Sequence, residues 1–289
     1  MLILSATIWM TGCNGRIGPS LRDPNTGPGG GGSGKAPAER RLDIGSPLEI
    51  KYAGVEFKVT RAVITEAEDS SGAQADITLS VVNPLEVDTR IAEGQWQLRL
   101  GGGPAYTQPF YLQISARETK EVNVNFAVPE NATWSGGQLS LDEKGKEPAA
   151  ISLDRVPEKT DAYPVRLASG GMAVTKDPAM TFTIKEATLD LDGIGTRAAV
   201  GKRYLNLTVS VNEHDPGPGE FLPEFFRLLV NGEPASPENT GEKTTVEAQS
   251  TQDYTMSFLI PQDAADIALE VGKPDVQKTA KIPIDMRSK

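Results

Sequence analysis

The stretch Val122-Asn123-Val124-Asn125-Phe126-Ala127-Val128-Pro129 decides the fold class of this chain. Its larger apolar side chains occupy every second position, and the positions between them carry Asn or Ala. This is the period of a β-strand with one buried face. Pro129 ends the strand, because proline has no N–H to donate to a sheet. A strand with a single apolar face needs a second sheet to cover it.

The same pattern recurs further along the chain, together with three other segments in the same order. The matching pairs are Glu56–Ala62 with Thr181–Ala187, Trp96–Leu100 with Phe226–Val230, Phe126–Pro129 with Phe258–Pro261, and Ala150–Asp154 with Lys281–Asp285. The offset is 125 residues for the first pair and 132 for the third. Such a period is too long for a solenoid and predicts a duplicated domain.

Short alternating segments separated by turn signals roughly every ten residues are typical of β-sandwiches. The sequence therefore predicts an all-β protein with two tandem immunoglobulin-like sandwiches, residues 43–154 and 174–289, joined by a linker at 155–173. No window shows sustained helical periodicity. Each sandwich must be held by packing alone, because neither contains a cysteine.

The N-terminus carries a different signal. An apolar run from Met1 ends in Met10-Thr11-Gly12-Cys13, which holds the only cysteine of the chain. The run is too short to cross a bilayer as a helix. It resembles the lipobox of bacterial lipoproteins, which implies that residues 1–12 are removed and Cys13 is acylated. The alternatives are a plain cleaved signal peptide or a buried cysteine. The positively charged leader is absent, so we expect the true translation start upstream.

Residues 13–42 are predicted to form a flexible tether. They contain several prolines, the glycine run Gly29–Gly32 and few large apolar residues. Such a composition buries too little surface to offset the entropy of ordering the chain. The expected location is the cell envelope, with the protein anchored to a bacterial membrane by lipid on Cys13 and facing the periplasm or the exterior.

The lipobox and tether are followed by a domain that opens with Gly45 before Leu48-Glu49-Ile50. Asn-ended strands then occur at Val81–Asn83 and Ser210–Asn212, and the Phe-x-Val-Pro strand lies at Phe126–Pro129. Together these features resemble the telokin-like, immunoglobulin-like domains of unknown function in bacterial lipoproteins. The Pro-Gly-Glu that often precedes the last strand is absent. The resemblance implies an envelope-displayed interaction module and transfers no catalytic residues.

Asp190-Leu191-Asp192-Gly193 could begin a calcium loop, with oxygen ligands two residues apart and a glycine for the turn. The remaining ligands of such a loop are missing, so the favoured interpretation is a pair of solvated turn carboxylates. Glu66-Ala67-Glu68-Asp69 stands at the matching place in the first copy. Asp190 and Asp192 are therefore weak metal candidates, and no metal or cofactor is expected.

Tyr106, Phe110 and Tyr111 form an aromatic stretch that the second copy replaces with the polar Ser236–Thr240. Exposed aromatic residues are enriched at binding interfaces, so these three are weak candidates for a binding surface. The alternative is that Phe110 alternates with Leu112 and Ile114 on the core face of a strand.

His214 is the only histidine and lies before Pro216-Gly217-Pro218-Gly219, which predicts an exposed loop. One histidine cannot form a multi-histidine zinc site, and sequence alone shows no serine and carboxylate converging on it. The chain is therefore not expected to be an enzyme.

The charge balance of 39 acidic to 29 basic residues, a net −10, disfavours nucleic-acid binding. The predicted function is envelope-anchored recognition or assembly with a protein partner. The alternative is a calcium- or carbohydrate-binding surface adhesion module.

Overall fold

The computed structural model describes residues 38–45, 48–67, 72–153, 163–168, 170–175, 180–217, 219–220, 225–240, 245–272 and 279–288. Cys13, the signal segment and most of the tether lie outside these ranges. The described residues form strands and no α-helix, which confirms the all-β prediction. No described helix is long and apolar enough to cross a bilayer.

The first half contributes nine strands. They are β1 Glu39–Arg41, β2 Leu48–Tyr52, β3 Val55–Glu66, β4 Ala73–Val82, β5 Thr89–Arg99, β6 Ala105–Ile114, β7 Thr119–Val128, β8 Gln138–Glu143 and β9 Ala149–Ser152. A five-stranded sheet runs in the order β1-β3-β4-β7, and β2 also pairs with β3. A four-stranded sheet runs in the order β6-β5-β8-β9.

The second half contributes twelve described strands. They are β10 Val165–Ala168, β11 Met172–Val174, β12 Met180–Asp190, β13 Lys202–Glu213, β14 Gly219–Glu220, β15 Phe226–Val230, β16 Glu233–Ala235, β17 Asn239–Thr240, β18 Thr245–Val246, β19 Thr251–Pro261, β20 Ile267–Val271 and β21 Ala280–Ser288. One sheet runs β16-β15-β20-β21-β10-β12-β13-β19-β17, with β11 also on β12, and β14 pairs with β18.

The strand pairing repeats between the halves, as the internal sequence repeat predicts. The ladder β3-β4-β7 has its counterpart in β12-β13-β19, and β6-β5-β8-β9 in β16-β15-β20-β21. A β-bulge interrupts the ladder between Val59 and Arg61 in β3, and between Ile184 and Glu186 in β12. These two bulges occupy equivalent positions of the repeat.

Each half has its own hydrophobic cluster, to which strands of both ladders contribute. In the first, the rings of Phe57 in β3 and Trp96 in β5 meet edge to face, with centroids 5.6 Å apart. In the second, Phe182 in β12 and Phe226 in β15 do the same at 5.7 Å. Edge-to-face pairs favour a fixed orientation of the two rings beyond their burial alone. The aromatic pair that joins the two ladders is therefore conserved between the halves.

The stretch that predicts the fold class behaves as expected. In β7, Val124, Phe126 and Val128 are buried, whereas Asn123 and Asn125 are exposed. The strand ends at Val128, directly before Pro129.

The sheets extend into both predicted linkers. Strand β1 lies within residues 13–42 and pairs with β3, and the indole N–H of Trp134 donates to Arg40 O at 3.0 Å. Strand β10 lies within residues 155–173 and pairs with both β12 and β21, which connects the two ladders of the second half. Segments of three or four residues carry too little periodicity to be recognised as strands in sequence.

Candidate functional site

The aromatic candidates separate into two groups. Tyr106 and Phe110 are partly buried and pack against the first hydrophobic cluster, so the core-face interpretation holds for Phe110. Tyr111 points the other way and is 56% exposed. Its hydroxyl donates to Gln113 Oε1 at 3.1 Å, and the guanidinium carbon of Arg90 lies 5.6 Å from its ring centroid. Of the three predicted residues, only Tyr111 has an exposed ring.

Tyr111 lines a groove of about 710 Å³ on the four-stranded sheet. The other side chains that line it include Glu93, Gln95, Phe110, Asp142 and Lys144. The lining thus includes an exposed aromatic ring together with an amide, two carboxylates and an ammonium group. This combination can hold a ligand that has both an apolar face and several hydroxyl groups.

The strand register at Gly94 determines which side chains line this groove. The register of β5 against β6 shifts between Ile91 and Gly94. A Cβ at Gly94 would lie 2.8 Å from Ile91 Cγ2 and 3.2 Å from Phe110 O, so only glycine allows the two backbones to come this close. The shift brings Gln95 opposite Pro109 and Asp142, next to Tyr111 in the groove.

The acidic candidates are not solvated turn carboxylates, and that expectation was wrong. Asp190 is 6% exposed and Asp192 is 2% exposed. Asp192 Oδ1 lies 3.1 Å from Arg197 Nη1 and accepts the N–H of Ala53 at 2.6 Å. Asp190 Oδ2 lies 3.3 Å from Lys51 Nζ. The carboxylates therefore belong to a junction with the first half. The matching residues Glu68 and Asp69 lie outside the described ranges.

Arg197 is the centre of this junction and is 5% exposed. Besides its ion pair with Asp192, it donates from Nε to Glu147 O and from Nη2 to Pro148 O, both at 2.8 Å. Its guanidinium carbon also lies 5.3 Å from the ring centroid of Tyr52. One buried cation thus contacts three residues of the first half, two in the β8–β9 turn and one in β2, while it is paired within the second half.

Backbone groups complete the junction. Glu147 N–H donates to Ala198 O at 2.9 Å, and Val200 N–H donates to Gly145 O at 3.2 Å. These bonds join the β8–β9 turn to the β12–β13 loop. The described strands of both halves belong to one compact unit, Pro37–Lys289.

Burial controls the ionisation of the junction. It raises the pKa of the Asp192 carboxyl, while Arg197 lowers it and Asp190 raises it further. Burial, followed by the charge of Glu143, raises the pKa of the Tyr52 hydroxyl. Tyr52 therefore stays protonated and donates to Glu143 Oε2 at 3.2 Å.

The pattern of carboxylates also bears on the calcium candidate. Among the described residues, no group of three or more His, Cys, Asp or Glu side chains could hold a metal ion. Asp190 and Asp192 are already engaged by Lys51 and Arg197. Sequence reasoning missed Arg197 because its partners Glu147 and Pro148 lie about fifty positions away.

His214 is exposed, as predicted, and its Nε2 lies 2.8 Å from Thr181 Oγ1. The neighbouring Glu213 is buried, and its Oε1 accepts the N–H of Asp215 at 2.9 Å. The structure pairs His214 with a threonine hydroxyl at the surface.

The edges of the sheets differ between the halves. In the second half, β17 pairs with β19 and covers part of its outer edge. In the first half, the equivalent strand β7 pairs only with β4 among the described strands. β7 is ten residues long and contains no proline, whereas the ten-residue edge strand β6 contains Pro109. Uncovered edges of this kind are the usual sites of strand addition.

No known protein family matches this chain, and no curated protein does. A functionally unknown protein from Listeria monocytogenes EGD-e is 12% identical, with coverage of 41% of this chain and 85% of that one and a TM-score of 0.31. An anti-sigma factor domain-containing protein is 11% identical, with coverage of 73% and 83% and a TM-score of 0.18. At these TM-scores neither similarity bears on fold or function.

Proposed function

We propose that this chain is a lipid-anchored recognition module of a bacterial cell envelope that binds a protein partner. It comprises two immunoglobulin-like sandwiches, residues 43–154 and 174–289, carried on an acylated Cys13 and a flexible tether. The repeated ladders and the two separate hydrophobic clusters support the sandwich assignment. The short apolar run before Cys13 and the Gly- and Pro-rich stretch after it support the anchor.

One observation carries the choice of a protein partner. The same strand of the repeat has a covered edge in the second half, at β19, whereas in the first half, at β7, none of the described strands covers that edge. A long edge strand presents unpaired N–H and C=O groups that can pair with a strand of another chain. The net charge of −10 keeps such a surface protein soluble while that edge is free.

The experiment that tests this function is in-cell crosslinking and pull-down of the native, full-length protein. We expect an envelope protein to be recovered reproducibly from the wild type. We also expect the Cys13→Ser variant to leave the detergent phase and to lose that partner, because the anchor that holds both proteins at one membrane is gone. Unchanged partitioning of the variant would contradict the anchor, and an empty wild-type pull-down would contradict the partner.

A second function, carbohydrate binding, is favoured by the groove at Tyr111. A pyranose ring has apolar C–H faces that pack on an aromatic ring, and hydroxyls that hydrogen-bond to side chains such as Gln95, Asp142 and Lys144. The guanidinium of Arg90 lies over the Tyr111 ring, and the side chain of Tyr111 is 56% exposed, so part of it is accessible to a ligand.

Substitution of Tyr111 distinguishes the two functions. If the groove binds glycans, Tyr111→Ala is expected to weaken binding on a glycan array by about tenfold, the effect of losing one aromatic contact. Unfolding should change by less than about 0.5 kcal/mol, since the side chain is exposed. Tyr111→Phe is the matched control and should keep most of the affinity. An array without signal for the wild type would remove this second function.

A further inference from the structure

The ladder between β4 and β7 shows which backbone groups of β7 face outward. Asn83 N–H donates to Glu118 O at 2.9 Å, one position beyond the last register pair, Val82 with Thr119. Hydrogen-bonded pairs alternate with non-hydrogen-bonded pairs in an antiparallel ladder, and this register has no shift. The N–H and C=O groups of Asn123 and Asn125 therefore point away from β4, toward the uncovered edge.

The second half shows what occupies the equivalent edge. There Glu213 N–H donates to Ser250 O at 3.0 Å, which makes these two residues a hydrogen-bonded pair. By the same alternation Ser257 belongs to a non-hydrogen-bonded pair of this ladder, so its N–H and C=O groups point away from β13. Its outward carbonyl accepts the N–H of Glu238 at 2.9 Å, and Asn239 in β17 pairs with Ser257 in antiparallel orientation. Ser257 precedes Phe258 as Asn125 precedes Phe126, so these two positions correspond.

The same comparison explains why no described strand covers the first edge. In the second half β16 ends at Ala235, and the chain then crosses to β19 as β17. In the first half the corresponding segment continues as β6 on β5 for ten residues and ends at Ile114. No described segment is left to pair with β7.

We propose that the outer edge of β7 binds an extended segment of a protein partner. This segment adds antiparallel to β7 at the backbone groups of Asn123 and Asn125, in the place that β17 takes on β19. The inference rests on the proposed recognition function and specifies its site. A second copy of this chain is a poor occupant, because two molecules of net charge −10 repel one another.

The side chains of β7 define the chemistry of that segment. Asn123 and Asn125 are exposed on the outer face, so the partner residues opposite them are polar. Val122 is only partly buried, although it packs against the core. A partner residue opposite Val122 is therefore apolar and covers it. The segment alternates polar and apolar residues and has no proline at the positions that bond to Asn123 and Asn125.

Proline at position 123 tests the backbone contact without a change to the ladder with β4. Asn123→Pro removes one outward N–H and places the proline ring on the free edge, whereas Asn123→Ala removes only the side chain and its bond with Thr78 Oγ1. Both variants carry a photoreactive benzoylphenylalanine at the exposed Glu121 of the full-length protein, and crosslinked products are quantified in cells. We expect Asn123→Pro to lower the yield about tenfold and Asn123→Ala to leave it within about twofold.

The outcomes separate this inference from the proposed function. A thermal melt confirms that each variant folds, and Asn125→Pro replaces Asn123→Pro if the latter does not. A crosslinker at Tyr111 gives the comparison. If it captures a partner and neither proline variant lowers the crosslinking yield, the strand-addition site is wrong and the recognition function still stands. A product of twice the chain mass, or an intramolecular product with residues 1–37, would overturn the heterologous partner. No product from either position would overturn both proposals.

Discussion

Replacement of Arg197 by methionine is expected to lower the free energy of unfolding by about 3–5 kcal/mol. Arg197→Met removes one partner of a buried ion pair and leaves the carboxylate of Asp192, which is 2% exposed, without its counter-ion. It also leaves the carbonyls of Glu147 and Pro148 without their donor. Urea denaturation followed by circular dichroism measures the loss. The corresponding fall in melting temperature is about 10 °C for a unit of this size.

Two further variants separate the causes. Arg197→Met combined with Asp192→Leu removes both charges, so it should recover the part of the loss that comes from the unpaired carboxylate. The rest remains, because the N–H of Ala53 and the carbonyls of Glu147 and Pro148 still lack their partners. Lys51→Ala removes the half-exposed partner of Asp190 and should cost less than about 1 kcal/mol. An Arg197→Met protein within about 1 kcal/mol of the wild type would contradict the central role of this cation.

Truncation of Trp96 is the second large effect. Trp96→Ala is expected to cost about 3–5 kcal/mol, because it empties the space of a fully buried indole that packs against Phe57 and Phe110. The same urea titration measures it. Phe226→Ala removes the equivalent ring of the second cluster and should cost a similar amount.

Trp96→Phe is the matched control for this truncation. The indole N–H of Trp96 is buried and has no hydrogen-bond partner among the described residues. Phenylalanine keeps most of the ring and removes this unpaired donor, so the cost should stay below about 1.5 kcal/mol. An alanine variant no less stable than the phenylalanine variant would contradict the packing role of this residue.

Local pattern was sufficient to predict the class of the fold and its repeat. The alternation in β7 places its apolar residues on one face whatever the rest of the chain does, since successive side chains of a strand point to opposite sides. The repeated segments likewise predicted a duplicated domain, and the structure has ladders in the same order with an equivalent aromatic pair in each half. Strands as short as β1 and β10 carry too few residues for the period to show.

The candidate sites depended on contacts between distant residues. Asp190-Leu191-Asp192-Gly193 has the composition of a solvated turn, yet it is buried because Arg197, Lys51 and the backbone of Ala53 meet it at the junction. Within the Tyr106–Tyr111 stretch, Tyr106 and Phe110 pack against the core and Tyr111 is exposed, and the bulge at Gly94 sets the register of β5 against β6 that brings Gln95 beside Tyr111.

The sequence by itself determined the long strands, their buried faces and the duplication, since these follow from periodicities of two residues and from similarity along the chain. Only the tertiary structure decided which carboxylates are buried and which sheet edge the described strands leave uncovered. β7 and β19 share one strand pattern, but a later segment covers β19 and none of the described segments covers β7. That difference arises from pairing between segments far apart in the chain, which the pattern of a single strand does not encode.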